Sequence, residues 1–278
     1  MIERLQQLNS CIALVFVVSS MLAMGMSQRL ADVLATMKNP WVIASTLLVN
    51  FVFSPALALG LCRLIPLQSA HATGLIILAC AAGAPFLPKL AELAGGNLAY
   101  SVGLMVLQIV GSVLFMPLAL PLLVPGLEAD SWRIAKPLLL TMLVPLGVGF
   151  AVPWSTPPGS LSLPRLIGRI SNLALVLVWS CRSGSTSRHA GIFGSLAIAA
   201  FLLYVGGMVG VGYLLGGAEP STRSVFALGA GQRNLVAALV IAGTGFDDPA
   251  VAVMVLIASL IALMLLLGIA RMMRSGTA

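Results

Sequence analysis

Apolar runs of roughly 17–28 residues succeed one another along the chain, divided by short stretches where Pro, Gly, Ser and charge collect. A helix needs about 20 apolar residues to cross hydrocarbon. On that measure the pattern predicts nine spans, at approximately 9–26, 40–64, 71–94, 97–124, 134–153, 165–183, 191–216, 221–244 and 247–271. The polar connections SQRLADVLATMKNP, GLEADSWR, STPPGSLSLPR and GGAEPSTR read as interfacial loops. Trp41, Trp132 and Trp154 fall near span ends, where an indole keeps its ring in hydrocarbon and its N–H wet. The run after Arg4 also has the charged and apolar regions of a signal peptide. Met24, Met26 and Gln28 stand where small residues would be cleaved, so the run is read as a retained helix.

Two spans break the pattern. The third contains ACAAGAPFLPKLAEL and the eighth ALGAGQRNLVAALV, each a Gly-rich interruption carrying a cation, Lys89 in one and Arg233 in the other. A charge at the bilayer centre costs about 2.5–3.5 kcal/mol on insertion scales, so each needs a reason to be there. The neighbours of the two breaks also correspond in order. WVIASTLLVNFVFSPALALGL and NLAYSVGLMVLQIV flank the first; GIFGSLAIAAFLLYVGGMVGVGYLLGG and DPAVAVMVLIASLIAL flank the second. A third and an eighth span run antiparallel, which predicts an inverted repeat with halves about 9–124 and 134–271 inside a single transmembrane domain, 1–278. Simple Gly kinks in packed helices are the alternative, but a kink does not call for Lys or Arg.

A broken helix in hydrocarbon frees backbone N–H and C=O groups, which only protein or a hydrated cavity can receive, so both breaks belong in the interior. Half-helices starting near Pro88 and Asn234 would aim N–H donors and partial positive charge at a shared centre that favours an anion. Pro85 and Pro88 suit that geometry, since proline breaks the preceding turn and is tolerated in a first turn.

Composition narrows the class further. Hydrophobic residues make up 59% and charged residues 8% of the 278, with a mean hydropathy of +1.07, which defines an all-α polytopic membrane protein with no room for a separate catalytic module. The net charge of +7 sits mainly on Lys and Arg at helix ends, as in bacterial-type inner-membrane proteins, and gives no reason to expect nucleic acid. A slight Lys/Arg excess near Arg271 and Arg274 favours a cytoplasmic C-terminus. Cys11, Cys62, Cys80 and Cys181 are scattered, and His71 and His189 stand at predicted helix ends, so no metal-ligand spacing is present. There is no GxSxG, HExxH or Walker loop; Asp247 and Asp248 read as a helix start, and no enzyme is expected.

ACAAGAPFLPKLAELAGGNLAYSVG resembles the Gly-Ala-Pro crossover helix and following span of the bile acid:sodium symporter family, and LGAGQRNLVAALVIA resembles that family's second crossover helix. The likeness extends over most of the chain. It implies two inverted five-helix repeats, a core domain bearing the crossed helices and a panel domain that moves against it. Some members lack the first helix, and nine spans match that shorter form. The family carries organic anions such as bile acids and small carboxylates, usually with sodium.

This chain departs from the sodium-coupled pattern twice. Those members have Ser-Asn after Gly-Ala-Pro, where Phe86 and Leu87 stand here; they also have an acidic residue ahead of Gln-Asn, where Ala227, Leu228, Gly229, Ala230 and Gly231 precede Gln232. These departures remove side-chain oxygens that an ordinary sodium site of the family would use, and no other metal site is expected. The loaded family site sums two sodium charges and one acid; Lys89, Arg233 and Glu92 give the same total of plus one, so the two cations are expected to replace sodium and a monoanion to neutralise them.

The expected function is secondary transport of small organic anions, monocarboxylate or bile-acid-like, by alternating access. Pro85, Phe86, Lys89, Gln232, Arg233 and Asn234 are the expected substrate contacts, with Glu92 compensating charge. No cofactor is expected; coupling to sodium or protons stays open, as does the oligomeric state. The partners are the anion and the lipid bilayer. An orthodox sodium-coupled symporter and a non-transporting membrane sensor are the alternatives. For single residues other readings stay open: Lys89 snorkelling to an interface or pairing only with Glu92, Arg233 capping freed carbonyls, and Gln232 and Asn234 serving the backbone; Phe86 reads as a cavity wall more than a stacker.

Overall fold

The computed structural model describes residues 2–27, 30–124, 131–152, 166–170, 173, 196–246 and 248–275. Among these the chain is helical apart from turns and one isolated antiparallel bridge. The helices are α1 Ile2–Ser27, α2 Leu30–Met37, α3 Pro40–Leu48, α4 Ser54–Leu64, α5 Ser69–Cys80, α6 Leu87–Ala94 and α7 Leu98–Leu123. There follow α8 Ser131–Leu138, α9 Val144–Ala151, α10 Leu196–Leu215, α11 Pro220–Gly231, α12 Leu235–Thr244 and α13 Pro249–Ser275.

Five stretches among the described residues are long and apolar enough to cross a membrane: Pro40–Leu64, Leu98–Leu123, Ser131–Ala151, Leu196–Leu215 and Pro249–Arg274. The expected span at 165–183 lies mostly outside the described residues, as do Trp154, Cys181, His189 and Asp247. Asp248 does start a helix: its carboxylate accepts from the Ala250 N–H at 2.8 Å, capping α13 ahead of Pro249.

Two spans are continuous only through a π-turn, and proline accounts for both. Pro55 has no N–H for the carbonyl four residues back, so the Ser54 N–H bonds the Val49 carbonyl across five residues and α3 passes through Val49–Phe53 into α4. Pro145 does the same after Leu139–Leu143, between α8 and α9. One expected loop is corrected. Within SQRLADVLATMKNP the structure forms α2, because Val33 and Thr36, three apart on one face, are buried and Gly103 of α7 leaves room for the Thr36 side chain.

The described chain falls into two compact units, 1–30 with 136–191 and 31–135 with 192–278. In the first, α1 lies against α9 with Gly25 facing Gly149; a Cβ on Gly25 would stand 2.9 Å from the Gly149 Cα, so small residues set that approach. The second holds both interrupted helices. α5 ends at Cys80, the chain runs extended through Ala81–Ala84, and α6 begins at Leu87; α11 ends at Gly231 and α12 begins at Leu235. The two breaks meet in the antiparallel bridge between Ala82 and Arg233.

Glycine is required at the first break. Gly83 has φ of 80°, and a Cβ there would lie 2.5 Å from the Ile109 amide nitrogen of α7. Gly95 has φ of 68° where α6 closes, with the Gly96 N–H returning to the Ala91 carbonyl, yet nothing lies within 4 Å of its Cβ position. Gly95→Ala is therefore expected to cost about 1–2 kcal/mol, the left-handed backbone penalty alone, and Gly83→Ala clearly more. Thermal unfolding of the two variants in detergent checks this; equal losses would show that α7 does not press on the break.

Candidate functional site

The bridge leaves a set of backbone groups that no helix satisfies, and the structure shows where they go. The Asn234 N–H donates to the Ala81 carbonyl at 2.8 Å. The Ala82 N–H and C=O are both taken by Ser112 of α7, whose hydroxyl accepts at 2.8 Å and donates at 2.9 Å. Asn234 Nδ2 donates to the Gly83 carbonyl at 2.7 Å while its Oδ1 caps α12 by accepting from the Ala237 N–H at 3.1 Å. Gln108 of α7 donates to the Gly229 carbonyl at 3.2 Å in the last turn of α11. Side chains thus replace the partners that continuous helices would have supplied.

Arg233 serves the same ends with a charge. The residue is 4% exposed. Nη1 donates to Ser54 Oγ at 3.2 Å and to the Ala79 carbonyl at 3.4 Å; Nη2 donates to Asn50 Oδ1 at 3.1 Å and to the Ala230 carbonyl. Four of the five guanidinium N–H groups are so used, and the Nε proton has no partner. Ala79 and Ala230 lie in the last turns of α5 and α11, where carbonyls carry the negative end of the helix dipole. The Tyr204 ring lies 5.7 Å from the guanidinium carbon.

The surrounding hydroxyls follow from counting protons. Ser54 Oγ donates to the Ala79 carbonyl at 2.6 Å and accepts from Arg233, so the 2.6 Å contact with the Tyr204 hydroxyl has Tyr204 as donor. Asn50 Nδ2 donates to the Thr46 carbonyl at 3.1 Å, which turns its oxygen to Arg233. Asn50 lies in the π-turn and Ser54 immediately follows it. Such turns recur at functional positions.

The sequence-selected residues divide. Gln232, Arg233 and Asn234 are buried at the bridge, and Gln232 Oε1 has no protein partner. Lys89 lies on α6 with its side chain 64% exposed, bonded to Glu92 at 2.6 Å across one helical turn. Phe86 is exposed and Pro85 half-buried, at the end of the first break. At the start of α6 the Leu87 and Lys89 N–H groups bond the Ala84 and Phe86 carbonyls, so they are not aimed at a central anion. What meets at the bridge is instead the carbonyl ends of α5 and α11, with Arg233 between them.

Asn50, Ser54, Gln108, Ser112 and Tyr204 escaped the sequence reading. Each is a polar residue within an apolar span, a signal that marks interhelical bonding in hydrocarbon. A separate cavity of about 430 Å³, lined by Thr36, Asn39, Trp41, Tyr100 and Glu219 among others, includes none of the selected residues.

The profile of the Sodium Bile acid symporter family matches residues 12–210. The probable sodium/metabolite cotransporter BASS2, chloroplastic, of Oryza sativa subsp. japonica is 26% identical over 238 residues, 84% of this chain and 57% of that protein. The uncharacterized sodium-dependent transporter YocS of Bacillus subtilis (strain 168) is 25% identical over 202 residues, 70% of this chain and 60% of that protein. The matches thus cover less than two thirds of these relatives' lengths.

The proton count at Ser54 makes a test. Ser54→Ala strips an acceptor from both Arg233 and Tyr204, leaving a charged and a neutral donor unpaired, at about 2–3 kcal/mol; Tyr204→Phe leaves only a spare Ser54 lone pair, at about 1 kcal/mol. Denaturation of both variants in detergent should give that order, and the reverse order would refute the assignment.

Proposed function

The chain belongs to the sodium bile acid symporter family, and from that membership we propose that it carries small organic anions across a membrane by alternating access. The observation that carries this reading is the meeting of two interrupted helices at an antiparallel bridge, with a buried cation held among their carbonyl ends. The two compact units suit a moving panel and a core: the first takes the opening helix of the first sequence half and residues 136–191 of the second, and the other unit holds both interrupted helices. On this reading nine spans form two inverted repeats, the stretch at 165–183 contributing one.

The proposed substrate contacts are Pro85, Phe86, Lys89, Gln232, Arg233 and Asn234. Arg233 acts through its charge more than through its fork, because four of its donors already serve protein oxygens. Lys89 is the accessible cation, and Glu92 tempers its charge at 2.6 Å. Arg233 and Lys89 together supply the positive charge that bound sodium would otherwise bring, so a monoanion moves without sodium. Sodium-coupled metabolite transport is the second reading, favoured by the names of the rice and Bacillus relatives.

Uptake of labelled lactate and cholate by proteoliposomes, in sodium-free buffer with and without a pH gradient, separates the readings. Sodium-free uptake is expected. Lys89→Ala should lower it at least about tenfold, the effect of losing roughly 1.4 kcal/mol of interaction with the anion, while leaving insertion intact. Strict sodium dependence would decide for the second reading, and binding without flux for a sensor.

A further inference from the structure

Among the described residues, Arg233 is the only buried Asp, Glu, Lys or Arg. None of its four acceptors is a carboxylate: they are an amide oxygen, a hydroxyl and two main-chain carbonyls. A full charge moved from water into a protein interior is unfavourable unless something opposes it. Here the opposition comes from helix ends. α5 and α11 both terminate against the guanidinium, each contributing roughly half a negative charge, so the two dipoles sum to about minus one against the plus one of Arg233.

Neutral hard oxygens gathered with helix C-termini are the ligand chemistry of a monovalent cation, as where unwound carbonyls and half-helix ends hold an alkali ion in transporters. The oxygens come from three separate segments: the π-turn region of 50–54, the end of α5 and the end of α11. Asn50 and Ser54 are both 0% exposed, and each is oriented by a further hydrogen bond, Asn50 to the Thr46 carbonyl and Ser54 to Tyr204. The acceptors are therefore held in place by bonds other than those to Arg233.

We infer that Asn50 Oδ1, Ser54 Oγ and the carbonyls of Ala79 and Ala230 form a monovalent-cation site that this chain fills with its own guanidinium. The inference deepens the proposed reading, in which Arg233 supplies charge at the bridge. It makes that charge a tethered ligand of a cation site. Removing the side chain opens the site to a free small cation, and guanidinium, which matches the fork, binds best.

The experiment uses the full chain in detergent and reads thermal unfolding, with ionic strength held constant by choline chloride. Arg233→Ala should gain a saturable rise in Tm of a few degrees with millimolar guanidinium, following the linkage of ligand binding to stability. Sodium or potassium should act more weakly. Wild type should show no such rise, and the Asn50→Ala, Arg233→Ala double variant should lose it. A rise of equal size in wild type or in the double variant, or none in Arg233→Ala, overturns the inference.

Arg233→Lys and Arg233→Gln give an arm that does not require the truncated variant to fold. The lysine keeps the charge and the glutamine keeps amide donors, so Lys should retain the higher Tm and monodisperse yield; the opposite order overturns the inference. No substrate or flux enters these measurements. A failed uptake assay would therefore count against the transport reading and leave the cation site standing, and the converse also holds.

Discussion

A positive charge held among neutral oxygens is the interaction on which the meeting of the two helix breaks depends. Breaking a helix in a membrane interior releases carbonyls that lipid cannot satisfy. At this bridge the Ala79 and Ala230 carbonyls converge, and like dipole ends repel one another unless a cation lies between them. Arg233 is that cation, and it belongs to one of the two breaks it joins.

Much of the second compact unit can be understood as support for this arrangement. The proline-induced π-turn displaces the register of one span so that Asn50 and Ser54 are both buried against the guanidinium. Tyr204 of α10 covers it with a ring and donates to Ser54. α7 runs past with Gln108 and Ser112, which bond the remaining freed backbone of both breaks, and Gly83 lets that backbone approach within reach. Polar side chains in these spans are thereby spent on backbone groups and on one another.

For transport, a fixed guanidinium differs from a bound ion in one physical respect: it cannot dissociate. A site completed by sodium changes charge as the ion enters and leaves, and so ties substrate movement to the ion gradient. A site completed by Arg233 keeps its charge in every conformation, so on the proposed reading the anion alone changes the electrostatic balance. The exposed Lys89–Glu92 pair adds no net charge at its own position. Of the two cations, Arg233 is the one whose charge no paired carboxylate offsets.

How much was legible in the chain differs by level. Apolar run length identified the span Pro40–Leu64 to the residue, and the two breaks were visible because Gly, Pro and a cation inside hydrocarbon contradict their surroundings. Lys89 and Arg233 looked alike on that criterion, since local sequence records a charge but not what surrounds it. Only tertiary packing distinguished them. Lys89 meets Glu92 three residues away at an exposed helix face, a contact its own helix supplies. Arg233 meets oxygens 154, 179 and 183 residues distant, brought together by folding and absent from any local pattern. The same reason hid α2 and the roles of Asn50, Ser54 and Tyr204: a short helix or a buried polar side chain acquires its meaning from the neighbour it packs against. Composition and periodicity therefore determined a helical membrane protein with two interrupted spans, because those follow from the solvent each segment must meet. The assignment of the buried cation to a cage of carbonyl and side-chain oxygens was decided by distance in space.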